Sequence, residues 1–267
     1  MNLIRRHVRW EKLSPTTFGD LAQTLSEGPE WEYTSLVDRL LYPSRSTMVI
    51  RHRGNLILWD RGGFVFPRFV SNEAPPLRRM PYIRSIMGRE QDVNRFCRLT
   101  GTQPQTIVPY HLMMRSPAHV TVPVIRGIEC FPLSAAHHQA ILPLELAYQR
   151  EEVLLPGQLL HNASISQHLE WVLQRHIGVG VRTGGRIVAK AHTNARGVSC
   201  SQIGGVFTTP DQRGKGYAEL AMRALLRTLQ ADQLHTSLFV KPHNTPGLRL
   251  YNRLGFVKTG RYTIAYA

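Results

Sequence analysis

Negative charge, lysine, cysteine and long apolar runs are all scarce in this chain of 267 residues. It carries 18 Asp plus Glu against 33 Lys plus Arg, only five of them lysine, for a formal charge of +15. The charged fraction of 19% is below the average of about 25%, while 42% of residues are apolar, with 9 Phe, 4 Trp and 9 Tyr. Disorder, collagen and coiled coil are excluded, and sizeable cores are expected. The three cysteines, Cys97, Cys130 and Cys200, are odd in number and lack metal-ligand spacing. They give no disulfide framework and no metal site, and read as reduced packing thiols. No window reaches the roughly 18 to 20 apolar residues of a membrane span. Met1 to Ser14 holds Arg5, Arg6 and Arg9 without an apolar stretch behind them, so it is not a signal peptide. A soluble, cytoplasmic protein is expected, as a monomer or homodimer.

The length favours two domains. The positive charge is shared between the halves, net +8 over residues 1–127 and +7 over 128–267. Its densest stretch runs from Arg78 to Arg98 and includes Arg79, Arg84, Arg89 and Arg95. One reading of that stretch is a site for nucleic acid or another acidic partner; the other is an arginine-biased solvated surface.

Neither internal repeats nor low-complexity segments are present. The first half reads as mixed α/β. Trp31 to Leu41 has helical apolar spacing, and Ser46 to His52, Asn55 to Trp59 and Gly63 to Val70 read as strands around turn signals. Asp92 to Thr100 follows as a helix and Tyr110 to Met114 as a strand. Prolines 117, 123 and 132 with Gly127 break any long element, which places a boundary between domains 1–126 and 127–267. In the second half, Ala135 to Tyr148 and Ser166 to His176 read as helices, the latter with Leu169, Val172 and Leu173 on one face. Strands follow at Ile177 to Arg182, Arg186 to Thr193 and Ser199 to Thr208. Lys215 to Leu229 is a helix whose Tyr217, Leu220, Ala221, Ala224, Leu225 and Thr228 form one apolar stripe. His235 to Val240 is a strand, Pro246 to Leu254 a short helix and Tyr262 to Ala267 a final strand.

The chemistry concentrates where the strand ending Val206-Phe207-Thr208 runs through Thr209-Pro210-Asp211-Gln212-Arg213-Gly214-Lys215-Gly216 into the helix of Tyr217 and Ala218. A strand, a glycine loop and a helix start leave backbone N–H groups unpaired at the positive end of the helix dipole, where a pyrophosphate is held. Glycine at 214 and 216 lets phosphate approach the backbone. The loop lacks the third glycine of a dinucleotide fingerprint and the Gly-Lys-Ser/Thr of a P-loop.

The pattern Arg213-x-x-Gly216-x-Ala218 resembles the acetyl-CoA pyrophosphate loop of the GNAT superfamily of N-acetyltransferases. The resemblance extends to Asn244 after the His235 to Val240 strand and to Leu250-Tyr251-Asn252-Arg253-Leu254-Gly255-Phe256, and so covers roughly residues 165–267. A smaller group of two-part GNAT proteins, with an N-terminal domain of undetermined function, is similar in its Glu-Glu pair and Lys-Ala dipeptide, here Glu151-Glu152 and Lys190-Ala191. The resemblance implies an α/β (α+β) fold whose C-terminal part has a mixed, mostly antiparallel sheet flanked by helices. The N-terminal α/β domain would then be a candidate degenerate GNAT-like fold that shapes the acceptor pocket and holds no second cofactor. Its Ile86-Met87-Gly88-Arg89 is only a distant echo of the loop.

The resemblance further implies acetyl transfer from acetyl-CoA to an acceptor amine that the sequence does not identify. The strand bearing Val206, Phe207 and Thr208 would offer backbone N–H groups to the thioester and the pantetheine arm, with Gly204-Gly205 suiting a β-bulge. Arg213, Gly214, Lys215, Gly216, Tyr217 and Ala218 would hold the pyrophosphate, and Asn244 and Arg253 would contact the cofactor. Tyr251 would be the general acid. Glu152, Glu170 and His192 are the candidate general bases. Each has a plain structural alternative: Tyr251 as a packing ring, Asn244 as a helix cap, Gly204-Gly205 as a strand kink and His192 as a structural histidine. The rival to an enzyme is a catalytically silent acyl-CoA-binding or nucleic-acid-binding module on the same fold.

Overall fold

A computed structural model describes residues 11–12, 21, 25, 29–44, 47–60, 62–75, 77, 82–232 and 234–267. Arg5, Arg6, Arg9, Ser46, Arg78 and Arg79, which figured in the sequence reading, lie outside the described residues. The chain divides into two compact units. The first comprises Met1–Met114, Phe239–Leu248 and Val257–Ala267, the second Arg115–Leu238 and Arg249–Phe256. A boundary between 126 and 127 falls inside the second unit.

In the first unit, β1 (Glu11–Lys12), β2 (Met48–His52), β3 (Asn55–Trp59) and β4 (Phe64–Arg68) run antiparallel in sequence order. Next, β5 (Ser85–Arg89) lies parallel to β4. The last strand of the chain, β12 (Val257–Tyr266), pairs antiparallel with β5 and with β6 (Thr106–Arg115). A strand from the chain's far end thus completes the first sheet. Side chains on β2 to β4 alternate between two cores. Leu56, Leu58, Val49 and Phe66 pack with Leu36 and Leu40 of α1 (Thr34–Leu41), while Ile57, Ile50 and Val65 pack with Val93 and Phe96 of α2 (Glu90–Thr100). The spacing reading of these elements agrees with the structure except that β6 begins four residues before Tyr110 and that it marks neither the two-residue β1 nor β5. Its glycine and two flanking charges hide a strand that is covered on one side by α2.

Arginines of the 78–98 stretch make internal contacts. Arg89 bonds Glu32 and Asp92, Arg95 donates to the Ser71 carbonyl at 2.7 Å and lies over Phe69, and Arg84 lies over Phe64.

In the second unit, β7 (Ile128–Pro132), β8 (Gly178–Thr183), β9 (Arg186–Arg196) and β10 (Cys200–Thr208) are antiparallel neighbours, and β11 (His235–Val240) lies parallel to β10. The sheet is therefore mixed and mostly antiparallel. Strand β7 was hidden by the breakers around it, Gly127 and Pro132, which bound the strand. On one face, α3 (His138–Tyr148) and α4 (Asn162–Arg175) bring Ile141, Leu144, Leu169 and Leu173 against Ile187 and Phe207. The buried trio Leu169, Val172 and Leu173 is the one that the spacing predicts. Helix α5 (Tyr217–Gln230) packs against β8, β9 and β10. Its buried stripe is wider than expected, taking in Met222, Leu226 and Leu229, while Thr228 faces out and donates to the Ala224 carbonyl. Cys200 is buried and Cys97 and Cys130 half-buried, all as free thiols.

Strand β9 is buried without break from Ile187 to Thr193. Opposite Val181 and Arg182 it carries one extra residue, because Val181 faces Ala189 whereas Arg182 faces Ile187. That irregularity shifts the alternation, so Ile187 and Lys190 both meet α3. Among the described residues no helix is long and apolar enough to cross a membrane.

The fully buried Phe96 joins α2 to the first unit's sheet. Phe96→Ala should lower unfolding free energy by about 3 to 5 kcal/mol, read from urea denaturation.

Candidate active site

Strand β10 breaks register where the sequence places Gly204-Gly205. Gly204 faces His192 and Phe207 faces Lys190, three steps on β10 against two on β9, which is a one-residue bulge. Glycine is required at Gly205, where φ is positive and the neighbour is a buried ring; at Gly204 the neighbour is the end of an exposed side chain. A Cβ on Gly204 would lie 1.8 Å from Asn194 Nδ2, and one on Gly205, whose φ is +56°, would lie 1.9 Å from His192 Nε2.

Beneath the bulge sits a buried ion pair. Lys190 and Glu145 are 0% and 3% exposed, with Lys190 Nζ 2.8 Å from Glu145 Oε2. The ammonium also donates to the Gly205 carbonyl at 2.9 Å and lies 4.8 Å from the centre of the Tyr148 ring. Gln149 donates to the other Glu145 oxygen at 2.7 Å. Burial alone would raise the Glu145 carboxyl; the charges of Lys190 and then His192, with these hydrogen bonds, hold it below its usual range.

The His192 ring is buried, and its Nδ1 donates to the Thr193 carbonyl at 3.1 Å. In the neutral ring this leaves the Nε2 lone pair facing Gly205. Burial first, then the charge of Lys190, disfavours protonation and pushes the pKa far down, against a smaller opposing effect of Glu145. Tyr148 is partly buried, and burial followed by the charge of Glu145 raises its phenol pKa.

Beyond Thr208 the chain makes a short turn, Pro210–Gln212, and enters α5 through Gly214 and Gly216, with φ values of +77° and +81°. A Cβ on either glycine would meet nothing within 4 Å, so the backbone here faces open space. Arg213 is drawn to one side. It donates to Glu151 at 2.6 Å and to the Thr208 carbonyl at 3.2 Å, and lies over the Phe207 ring. Lys215 donates to Gln212 at 2.9 Å, and Arg186 pairs with Asp211. Phe207 and Tyr217 are buried, Val206 and Ala218 partly so. Among the described residues the buried Thr208 hydroxyl has no hydrogen-bond partner.

The Glu151-Glu152 pair lies on a π-helical turn, Gln149–Val153, that continues α3. Such turns are rare and cluster at functional sites. Glu151 takes Arg213, as above. The charge of Glu152 reaches both Tyr148 and Tyr251. Tyr251, on α6 (Thr245–Arg253), is 9% exposed, and burial followed by Glu152 raises its phenol pKa, so it stays protonated at neutral pH. Arg253 meets Glu219 of α5 at 3.3 Å. Asn244 caps α6, its Oδ1 accepting the Gly247 N–H at 2.9 Å. Glu170 is exposed on α4 and bonded to Gln174.

The structure thus brings the charge of Glu152 within electrostatic reach of Tyr251 and seats His192 against Gly205. Sequence reading passed over Glu145, Tyr148 and Gln149. Their signal was present: Ile141, Leu144, Glu145 and Tyr148 follow helical spacing, so a carboxylate sits on an apolar stripe and must find a buried cation. Among the described residues no cluster of His, Cys, Asp or Glu could hold a metal ion.

Residues 144–256 match the family model described as "Acetyltransferase (GNAT) family". No curated relative matches the chain. Among solved structures, a Drosophila protein is similar over 97% of this chain and 99% of its own, with TM-score 0.73 and 14% identity. A tandem GNAT protein from the clavulanic acid biosynthesis pathway is similar over 96% of this chain and 97% of its own, with TM-score 0.62 and 13% identity. A GCN5-related N-acetyltransferase-like protein from Streptococcus suis is similar over 94% and 99%, with TM-score 0.58 and 13% identity. The second half of the chain therefore contains a GNAT acetyltransferase domain, and the full length shares its fold with a tandem GNAT protein.

The buried groups set an acid limit on stability. His192 has a folded pKa below its ordinary 6.5, so the unfolded chain takes up the proton first as pH falls. Glu145 is shifted below 4.5 and acts in the same direction. Both contributions are present at pH 7. His192 begins to withdraw its share below about pH 6.5, at about 1 kcal/mol per pH unit, and Glu145 adds to the loss below about 4.5. Urea denaturation at a series of pH values should show this decline, flattened between pH 6.5 and 5 in His192→Gln.

Proposed function

We propose that the GNAT domain at residues 144–256, within a catalytic region at 127–267, is an N-acetyltransferase that uses acetyl-CoA to acetylate an amine. One observation carries this reading: a bulged strand that opens at Gly205 runs into a glycine loop facing open space, at the start of a buried helix. Those features fit the cosubstrate. The first N–H groups of α5 are not used within the helix, and no side chain fills the space above Gly214 and Gly216. Backbone of Arg213 to Ala218, with the Lys215 charge, would hold a pyrophosphate there. Val206, Phe207 and Thr208 would present backbone groups to the pantetheine arm, the Thr208 hydroxyl being a donor in need of an acceptor. Asn244 and Arg253 are further cofactor contacts in this reading. Bound acetyl-CoA would supply the activated acetyl group.

The residues of the chain then divide the work. Backbone N–H groups at the bulge stabilise the charge that develops on the thioester oxygen. Glu152 takes the proton that the amine loses as its nitrogen bonds to the acetyl carbon. Tyr251 gives its proton to the departing sulfur. Protonated at neutral pH and within reach of the Glu152 charge, Tyr251 is suited to donate, and its proton is restored from solvent. His192 is walled in by Gly205 and disfavours a proton, which supports Glu152 as the base. Glu170, exposed and bonded within its own helix, has no comparable neighbourhood.

Calorimetric titration of acetyl-CoA tests the reading. Wild type should bind in the micromolar range, and Gly216→Asp, which puts a carboxylate into the phosphate space, should abolish binding. An amine screen that follows release of the CoA thiol should give turnover, lowered about 10²- to 10⁴-fold in Tyr251→Phe and Glu152→Gln at unchanged acetyl-CoA affinity. Absence of acetyl-CoA binding by wild type contradicts the proposal.

A further inference from the structure

The geometry points to Lys190 as a positioning residue for acyl activation: its buried ammonium, paired with Glu145, polarises the Gly205–Val206 peptide at the bulge, making the Val206 N–H a stronger donor to the acyl oxygen. This inference rests on the acetyltransferase reading above.

Among the described residues three groups contact the ammonium, and each faces it for a physical reason. Glu145 Oε2 at 2.8 Å supplies the opposite charge, the Tyr148 ring at 4.8 Å supplies a π face, and the Gly205 carbonyl oxygen at 2.9 Å accepts a hydrogen bond. Gly205 O belongs to the same peptide group as the Val206 N–H. In a trans peptide the two point in opposite directions, so the N–H is directed away from Lys190. A cation on the oxygen draws electron density from the nitrogen and raises the acidity of that N–H, the cooperative polarisation that chains of hydrogen bonds show in low dielectric. Gly205 and Val206 occupy the bulge between the Gly204 and Phe207 register points, where the ladder to β9 is interrupted.

Stability alone is a poor account of this pair. A buried ion pair is often no better than apolar residues of the same volume, because both charges lose their hydration. Here the pair is fully enclosed, its carboxylate is further fixed by Gln149, and its one bond to backbone goes to the glycine of the bulge. Lys190 does not touch the substrate in this scheme; it acts through the peptide.

The test reads the thioester rather than turnover. Acetyl-CoA labelled with ¹³C at the carbonyl is bound to wild type and to the double variant Lys190→Met/Glu145→Gln, which leaves no orphan charge, and the carbonyl stretch is recorded by difference infrared spectroscopy. In wild type the band should lie below that of free acetyl-CoA. The double variant should lose most of that shift while its affinity for CoA, which lacks the acetyl group, is unchanged. Lys190→Met/Glu145→Met, which fills the same space with apolar atoms, carries the same expectation if the first variant does not fold. In wild type alone, the Val206 amide proton should move downfield on binding acetyl-CoA and much less on binding CoA. A folded variant that keeps the full infrared shift overturns the role of Lys190 and leaves the acetyltransferase reading intact, as does a Val206 amide that answers both ligands alike. Failure of wild type to bind acetyl-CoA overturns both.

Discussion

The carbonyl of Gly205 is held from below by the ammonium of Lys190, and much of the second unit's construction serves that contact. An ammonium can be buried only beside a counter-charge, so α3 carries Glu145 on its apolar stripe. The extra residue on β9 opposite Val181 and Arg182 turns Lys190 toward that helix rather than away from it. The bulge on β10 then needs glycine at 205, where the buried His192 ring stands on the position a Cβ would take. The same burial that favours a neutral His192 keeps Tyr251 protonated. Charge, packing and backbone shape at the site are thus one problem with one solution.

The two units show why a strand leading into a helix is not by itself an anion site. In the second unit, eight residues separate β10 from α5, and the glycines at 214 and 216 keep side chains out of the space before the helix. In the first, β5 ends at Arg89 and α2 begins at Glu90 with no loop between them. The start of α2 is already answered by its own acids: Glu90 and Asp92 lie in its first turn, and Asp92 bonds Arg89 and the Phe69 N–H. A helix dipole satisfied from within has little to offer a phosphate. The arginines there, which read from sequence as a basic stretch, bind Glu32, Asp92 and the Ser71 carbonyl instead.

Much of this was legible in the residue order. Periodicity marked Asn55–Trp59 and His235–Val240 to the residue, and the Leu169, Val172, Leu173 stripe with them. The loop from Thr208 to Ala218 announced itself through its glycines and the apolar helix behind it. Three strands escaped, β1 because it is only two residues long, β5 because Gly88 interrupts its pattern and β7 because turn residues flank it on both sides; partners across the sheet, which no local window contains, decide all three. The same limit hid the return of β12 to the first unit. Within the site, Lys190 and His192 were visible as residues, but what they do depends on Glu145 and Gly205, neighbours 45 and 15 positions from Lys190 that only the register of β9 brings together. Glu145 stood out by its place on an apolar stripe. Its partner could not be named before the strands were paired.

The central claim is that the bulge and the glycine loop form one acetyl-CoA site. Titration of acetyl-CoA into protein labelled with ¹⁵N at glycine, followed by amide correlation spectra, tests it most directly. The account predicts saturable shifts at Gly204, Gly205, Gly214 and Gly216 with a common affinity, while Gly63 and Gly101 of the first unit stay still. Glycine amides of the bulge and loop that do not move at saturating acetyl-CoA, or that move with separate affinities, would contradict it.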